Sequence, residues 1–233
     1  MKRIDLNVDV GEGFGSDEAL LDLATSANVC CGQHAGSWEL TLRTIEHCNR
    51  KGVRIGVHPG FPDRDSMGRG EVPLPQADGW FGELRAQVDR FVKEQHPAYI
   101  KPHGAWYSML AWPENFRAAL VGRAGATLAS LCFTLEIPVM LFAGAPSTLT
   151  FRKIGCSVID EGFADRGYTP DGQLVPRGQA GDLLDDPAQV MRQVLELAPQ
   201  VESICVHSDS PNSLQLAELV LRTLRDAGFE VGA

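Results

Sequence analysis

Short apolar runs with alternating polar positions recur along the chain and predict seven β-strands. Runs of this length and alternation are typical of strands with one buried face. The predicted strands cover residues 3–10, 26–31, 53–59, 98–104, 137–144, 156–164 and 203–209.

Segments with helical periodicity lie between most of these runs. Leu42, Ile45 and Cys48 form one stripe of the segment 38–52, and Gly52 is suited to end a helix. The segment 212–228 shows the same period and ends at Gly228. Alternating strands and helices predict parallel strands joined by right-handed crossovers, in an open doubly wound sheet or a closed barrel.

The polar positions of the strands distinguish these two architectures. In an open doubly wound sheet both strand faces meet helices, so both should be apolar. In the first run the apolar residues alternate with Asp5, Asn7 and Asp9, and the runs at 53–59, 98–104 and 203–209 also carry polar residues on one face. We therefore predict an α/β fold with a seven-stranded parallel β/α barrel, a polar lumen and a single domain over residues 1–233.

Two irregular segments predict loops around a pocket. Residues 58–79 are rich in Gly, Pro and Asp, and residues 163–178 contain a Pro-Asp-Gly turn signal. Structureless loops longer than about 12–15 residues usually cover a site.

Composition and charge exclude several classes of function. The formal charge of −9 argues against a nucleic-acid surface, which needs clustered Lys and Arg. We expect no membrane segment, because no run reaches about 18 uninterrupted apolar residues. The first ten residues alternate polar with apolar and lack the apolar stretch of a signal peptide, so we expect a cytoplasmic protein.

The six cysteines show neither a CxxC motif nor zinc-finger spacing to histidine. Cys30 and Cys31 are neighbours on a predicted strand, so their side chains should point to opposite faces and should not share one ion. We expect the cysteines to be reduced and buried.

Polar residues gather where the predicted strands end. Active sites of parallel α/β barrels lie at the carboxyl ends of the strands. Four of the six histidines are found there, and the complete set is Asp9, Glu12, His34, His58, Lys101, His103, His207 and Asp209. Each histidine alone could be structural, but their shared position predicts a common site.

These residue types suggest roles. Asp9 and Glu12 offer carboxylates for general base work. Lys101 would be costly inside a barrel unless it met a substrate anion or formed an internal ion pair with Asp5 or Asp9. In the loops, Arg69, Arg166 and Arg177 could clamp a carboxylate or phosphoryl group, although exposed arginines often have no such role.

Common catalytic motifs are missing from the sequence. There is no GxxxxGK[ST] phosphate loop and no GxSxG elbow, and the third glycine of "GEGFG" misses the GxGxxG spacing. Imidazoles and carboxylates still suit a divalent metal such as zinc, and Asp9, His34, His58 and His103 are the candidate ligands, although the compact HxxxH and HExxH spacings are absent.

Six motifs taken together resemble the LamB/YcsF family across residues 4–209. They are "DLNVDVGEGFG", "SANVCCGQHAG", "GVHPGFPD", "KPHGAWY", "EGFADRGYTPDGQLVPRG" and "CVHSDS". The resemblance implies a barrel related to glycoside hydrolases and polysaccharide deacetylases. It also implies ATP-dependent opening of the lactam 5-oxo-L-proline to L-glutamate, in a complex with 5-oxoprolinase subunits B and C.

The polar signature of the family falls on a defined set of positions in this chain. They are Asp5, Asn7, Asp9, Glu12, His34, His58, Pro59, Lys101, His103, Asp165, Arg166, Arg177, His207 and Asp209. The chain departs from the family pattern at Cys30, at residues 67–70, where the second arginine of the loop is missing, and at Ser208 beside His207.

The resemblance and the residues together give a catalytic hypothesis. Asp9 or Glu12 is the base for water, Lys101 with His103 stabilises the oxyanion or phosphoryl charge, and His34 or His207 supplies a proton. The expected ligands of the small anionic lactam are Asn7, His58, Arg69, Arg166, Arg177, His207 and Asp209. Without a phosphate loop, ATP is expected to be handled largely by partner subunits.

Two alternatives stay open at this point. A metal-dependent deacetylase or amidohydrolase would act without ATP, and a non-catalytic subunit would only hold substrate for its partners. Homo-oligomerisation is compatible with either alternative.

Overall fold

The computed structural model describes residues 2–210 and 212–233, and its strands follow the seven predicted runs in order. No strand extends beyond its predicted run. The strands are β1 Arg3–Val10, β2 Ser26–Cys30, β3 Arg54–His58, β4 Tyr99–Ile100, β5 Val139–Phe142, β6 Val158–Phe163 and β7 Ser203–Val206. A further strand, β8 Glu230–Val231, was not predicted.

The seven strands form a closed parallel barrel. They pair in chain order from β2 to β7, β7 pairs with β1, and β1 also pairs with β2. The register places Asp9 opposite Asn28 and Asn7 opposite Cys205. β8 adds to β1 only at Arg3 and Ile4, outside the closure. The predicted barrel class is confirmed.

Helices surround the barrel and connect its strands. They are α1 Asp17–Leu21, α2 Trp38–Lys51, α3 Ala77–Val92, α4 Gly104–Ala111, α5 Ala118–Leu135, α6 Pro146–Lys153, α7 Pro187–Leu197 and α8 Ser213–Asp226, with 3₁₀ turns at Leu74–Gln76 and Pro113–Asn115. The Ser37 side chain caps α2 by accepting the Leu40 N–H, and Gly52 ends it at φ 70°.

The barrel wall separates an apolar layer from a polar lumen. Ile4, Leu6, Val8 and Val10 of β1 are fully buried in the apolar cluster between strands and helices. The alternate residues Asp5, Asn7 and Asp9 are also buried, but they make side-chain hydrogen bonds to polar groups of neighbouring elements. Because side chains alternate along a strand, one sequence run supplies both layers.

α5 is the helix that bears on the expectation of no membrane segment. Arg123 interrupts its apolar run, yet by length and overall composition it is the one helix among the described residues that is apolar enough to cross a membrane. Leu120, Ala124, Leu128 and Leu131 are buried on its inner side. The helix packs there as a layer around the barrel.

The two predicted loops differ from the structure at their ends. Residues 74–76 form a 3₁₀ turn and α3 begins at Ala77, so the first loop ends earlier than predicted. In the second loop, Phe163 still belongs to β6. The segment after it folds on itself through two antiparallel bridges, one between Arg166 and Leu183 and one between Tyr168 and Leu174. All six cysteines are buried and reduced, as expected.

Candidate active site

A cavity of about 730 Å³ opens at the carboxyl ends of the barrel strands. Its volume lies in the range of small-molecule sites. Eight of the predicted site residues line it, namely Asp9, His58, Arg69, Lys101, His103, Arg166, Arg177 and His207. The other predicted residues, Asn7, Glu12, His34 and Asp209, are outside this lining.

Lys101 is the charged centre of the cavity floor. It follows β4, and its Nζ lies 2.9 Å from Asp9 Oδ1 and 2.7 Å from Glu161 Oε1. Cys205 Sγ is 3.2 Å from the same ammonium group. The internal ion pair that the sequence allowed therefore forms with Asp9. Asp5 lies elsewhere, with its carboxylate accepting hydrogen bonds from Thr25 and Ser203.

Glu161 was not singled out from the sequence. It lies on β6, is fully buried, and accepts a hydrogen bond of 2.9 Å from the Tyr107 hydroxyl. A carboxylate inside a predicted buried strand was the available signal, because buried charges need partners. Asn28 was also missed, and it donates to Asn7 Oδ1 and to Asp9 Oδ1.

The charges of this floor are set by mutual contact. Burial would raise the pKa of Asp9, but Lys101, His58 and His207 hold that pKa well below its ordinary value. Burial would lower the pKa of Lys101, yet its anionic neighbours raise it well above the usual value. Burial raises the pKa of Glu161. We conclude that Asp9 is a carboxylate and Lys101 an ammonium ion at neutral pH.

Three histidines and Glu12 form a buried cluster beside the floor. His58 Nε2 lies 2.9 Å from His103 Nδ1, and His34 stacks on His103 with ring centroids 3.9 Å apart. Glu12 Oε1 lies 3.4 Å from His34 Nε2 and 3.6 Å from His103 Nδ1. The ligand atoms of these four residues all lie within 4.8 Å of one another.

The histidines of this cluster differ in charge. Burial lowers the pKa of His58 to about 4, and burial together with His34 lowers that of His103 well below its usual value. Burial would also lower the pKa of His34, but Cys30 and Glu12 raise it to about 9. His34 therefore carries the positive charge in the cluster, whereas His58 and His103 are neutral at pH 7.

His207 is paired with a second acid at the cavity wall. Its Nδ1 donates to Asp165 Oδ1 over 2.9 Å, and its backbone N–H donates to Asp165 Oδ2 over 3.0 Å. Nε2 lies 3.8 Å from Asp9 Oδ2. Burial would raise the pKa of Asp165, but His207 lowers it. Asp165 thus fixes the ring and leaves Nε2 directed toward the cavity.

The arginines of the loops have different surroundings. Arg69 Nη2 and Arg177 Nη2 donate to the two oxygens of Asp209, over 2.9 and 3.1 Å. Among the described residues, none accepts a hydrogen bond from the buried Nε of Arg177. Arg166 donates to the backbone carbonyls of Asp182 and Val175, so its guanidinium holds the loop together.

Asn7 lies deeper in the lumen, where its amide donates to Ser203 Oγ over 2.7 Å. Its carbonyl oxygen is 3.4 Å from Lys101 Nζ. The predicted residues are thus brought together in four groups: the floor around Lys101, the histidine cluster with Glu12, His207 with Asp165 at the wall, and the rim residues Arg69 and Arg177 with Asp209. Arg166 lies apart from these groups and holds the loop.

Comparisons with known proteins agree with this architecture. Residues 4–233 match the family described as the LamB/YcsF family. The chain is 38% identical to a Neisseria meningitidis serogroup C protein named as the A subunit of 5-oxoprolinase, over an alignment of 256 positions that covers 100% of both proteins.

Solved structures give the same picture. A crystal structure described as a lactam utilization protein from Thermus thermophilus has a TM-score of 0.79 and 29% identity, with 100% of each chain covered. A family 4 carbohydrate esterase from Streptomyces lividans, in complex with acetate, has a TM-score of 0.51 and 12% identity, covering 100% of this chain and 92% of that one. The esterase shares the fold alone.

Proposed function

The chain belongs to the LamB/YcsF family, and from this we propose that it is the lactam-opening subunit of an ATP-dependent 5-oxoprolinase. The proposed reaction hydrolyses 5-oxo-L-proline to L-glutamate. One observation carries the proposal: the ammonium group of Lys101 lies at the floor of a cavity whose rim carries Arg69 and Arg177. The names of the Neisseria relative and of the Thermus structure support the same substrate class.

The cavity suits a small anionic lactam with two polar ends. Arg177 lines the cavity, and its planar guanidinium matches the substrate carboxylate well. The lactam carbonyl would then point to Lys101, where the positive charge of the ammonium group stabilises negative charge on oxygen. Apolar walls at Trp112 and Phe163 enclose the ring.

Ring opening adds one water across the amide bond, with hydroxide to the carbonyl carbon and a proton to the leaving nitrogen. ATP makes the lactam carbonyl reactive by phosphorylating its oxygen. Water then attacks the carbonyl carbon, the ring nitrogen leaves with a proton, and a second water hydrolyses the resulting acyl phosphate to glutamate and phosphate. We assign the proton transfers to His207, because Asp165 fixes its ring and its Nε2 is directed to the cavity. Asp9 has a low pKa and is engaged by Lys101, so it acts by holding Lys101 in place.

Partner subunits account for the use of ATP. The chain has no phosphate-loop motif, so we assign ATP binding largely to 5-oxoprolinase subunits B and C. A dependence on ATP fits a cytoplasmic protein.

The test is a glutamate-release assay with ATP and 5-oxo-L-proline, on the chain alone and on the complex with both partner subunits. We expect release only from the complex. His207→Gln should lower turnover by about 10²–10⁴-fold, as loss of general acid–base catalysis does, whereas His96→Gln, at an exposed position, should leave it unchanged. A complex that releases no glutamate, or an equally active His207→Gln complex, would refute the assignment.

The cluster of Glu12 with three histidines favours a second candidate, a metal-dependent amidohydrolase that needs no ATP. Lactam or N-acetyl hydrolysis by the chain alone, abolished by a chelator and indifferent to ATP, would identify it.

If the chain instead only holds substrate, calorimetry would detect 5-oxoproline binding while every variant of His207 kept full turnover in the complex.

A further inference from the structure

Two histidine nitrogens in the cluster, His58 Nε2 and His103 Nδ1, face each other at 2.9 Å. His58 Nδ1 lies 2.8 Å from the backbone oxygen of Lys101, and His103 Nε2 lies 2.8 Å from that of Met67. A carbonyl oxygen only accepts, so both of these nitrogens carry hydrogen. His58 Nε2 and His103 Nδ1 are the remaining ring nitrogens and lie 2.9 Å apart; in the neutral form of each ring, which has a single N–H, both are lone-pair acceptors.

Facing lone pairs repel, and the surrounding groups do not relieve this. The groups next to the pair are Glu12 Oε1, 3.6 Å from His103 Nδ1, and Asp9 Oδ2, 3.7 Å from His58 Nε2. Both are acceptors as well. A point where imidazole and carboxylate lone pairs converge in a buried place needs a cation.

The spacing of these atoms matches a metal site. Bonds of 2.0–2.1 Å in tetrahedral geometry place ligand atoms about 3.3 Å apart. The separations here are 2.9 Å between the two histidine nitrogens and 3.6 Å from His103 Nδ1 to Glu12 Oε1. Histidines that ligate a metal commonly donate their other N–H to a backbone carbonyl, as both of these do.

We propose that Glu12, His58 and His103 bind one divalent metal ion of the zinc type. Since His58 and His103 line the cavity, the open coordination position faces the substrate. The role of this ion, though not its binding, rests on the proposed function: an ion there can polarise a lactam carbonyl or a bound water.

His34 and Asp9 have supporting roles in this arrangement. The rings of His34 and His103 are parallel within 4°, so they cannot both direct in-plane lone pairs at one ion. His34 instead positions Glu12 through the 3.4 Å contact with its Oε1. Asp9 is engaged by Lys101 and Asn28 through Oδ1, and adds negative potential beside the site.

The experiment measures metal directly on the purified full chain. The protein is stripped with a chelator, equilibrated with Zn²⁺ or Co²⁺, dialysed, and analysed by mass spectrometry for bound metal and by the visible absorption of Co²⁺. We expect one ion per chain, and a Tm raised by about 5–10 °C at a hundredfold excess of Zn²⁺ over Kd.

Glu12→Gln and His103→Gln should each weaken binding at least about tenfold, and circular dichroism checks that each variant is folded. His96→Gln is the matched control and should bind like the wild type. The proposal is overturned if the wild type takes up no more metal than a His58→Gln/His103→Gln double variant. It is also overturned if ¹⁵N spectra show a proton shared by the two rings that Zn²⁺ does not displace.

These measurements use no lactam, ATP or partner subunit. Failure to bind metal would leave the proposed 5-oxoprolinase function standing, whereas a chain that binds one ion but releases no glutamate in the complex would refute only that function.

Discussion

Replacing Lys101 by methionine removes the one ammonium group between two buried carboxylates. Lys101 Nζ is 2.9 Å from Asp9 and 2.7 Å from Glu161, and all three side chains are at most 5% exposed. Methionine fills a similar volume, so the main effect is electrostatic. Breaking a buried ion pair from one side costs about 3–5 kcal/mol, because a buried charge is left without a partner.

For a chain of this size, 1 kcal/mol shifts Tm by about 2–4 °C, so we expect Lys101→Met to lose about 6–20 °C. The loss should depend on pH. In the wild type the depressed pKa of Asp9 stabilises the fold above the unfolded value of about 3.9, and this stability is lost as pH falls through the folded pKa.

Without Lys101 the change in stability with pH reverses its sign. Burial then raises the pKa of Asp9 and of Glu161, so the variant loses stability as pH rises above about 4. The difference in free energy of unfolding between wild type and variant should therefore be larger at pH 8 than at pH 5. Urea unfolding at both pH values measures it.

A double-mutant cycle supplies the control. Glu161→Gln keeps an acceptor for the Tyr107 hydroxyl, and combined with Lys101→Met it removes one of the two orphaned charges. The double variant should be more stable than the sum of the single effects predicts, by about 0.5–3 kcal/mol. A loss below about 1 kcal/mol at pH 8, a loss independent of pH, or strict additivity would contradict this account of the floor.

Three further predictions concern the wall, the rim and the fold. Asp165→Asn should lower turnover of the complex by about 10²-fold or more, and adding His207→Gln should cost little beyond that, since the two residues act as a unit; additive losses in the glutamate-release assay would count against it. Arg177→Met should raise KM for 5-oxoproline by about 10–100-fold, the worth of a charge-assisted hydrogen bond, without affecting 2-pyrrolidinone, which lacks the carboxylate. Equal effects on both lactams would remove Arg177 from carboxylate recognition. Gly36→Ala drives a Cβ into the backbone oxygen of Gly11 and should prevent stable folding, whereas Gly52→Ala, with φ +70° but open space, should cost only about 1 kcal/mol by thermal unfolding.

The sequence predicted the strands best where alternation was strong. β1 has the predicted bounds, because eight residues alternate without interruption. β4 contains only Tyr99 and Ile100, because the chain turns away at Pro102 and leads directly into α4. β8 was missed because a strand of two residues, added to the outside of β1, carries no periodicity.

For the candidate site, the sequence predicted which residues lie in it better than it predicted which of them contact one another. The shared position at strand ends was sufficient to collect Asp9, Lys101, His103 and His207 in one cavity. Glu161 was overlooked because its place in a predicted buried strand signals that it needs a partner but does not show that the partner is Lys101. The distinction depends on which strand lies across the lumen.

The barrel, its polar lumen and the end at which the site residues gather all follow from the amino-acid pattern, because alternation along each strand is a local property. The pairing of the charges, in contrast, depends on the folded barrel. Lys101 meets Asp9 and Glu161 from β1 and β6. His58 Nε2 and His103 Nδ1 face each other because backbone carbonyls of Lys101 and Met67 hold the opposite edges of the rings. Such contacts join residues far apart in the chain, and their geometry is fixed only when the barrel closes.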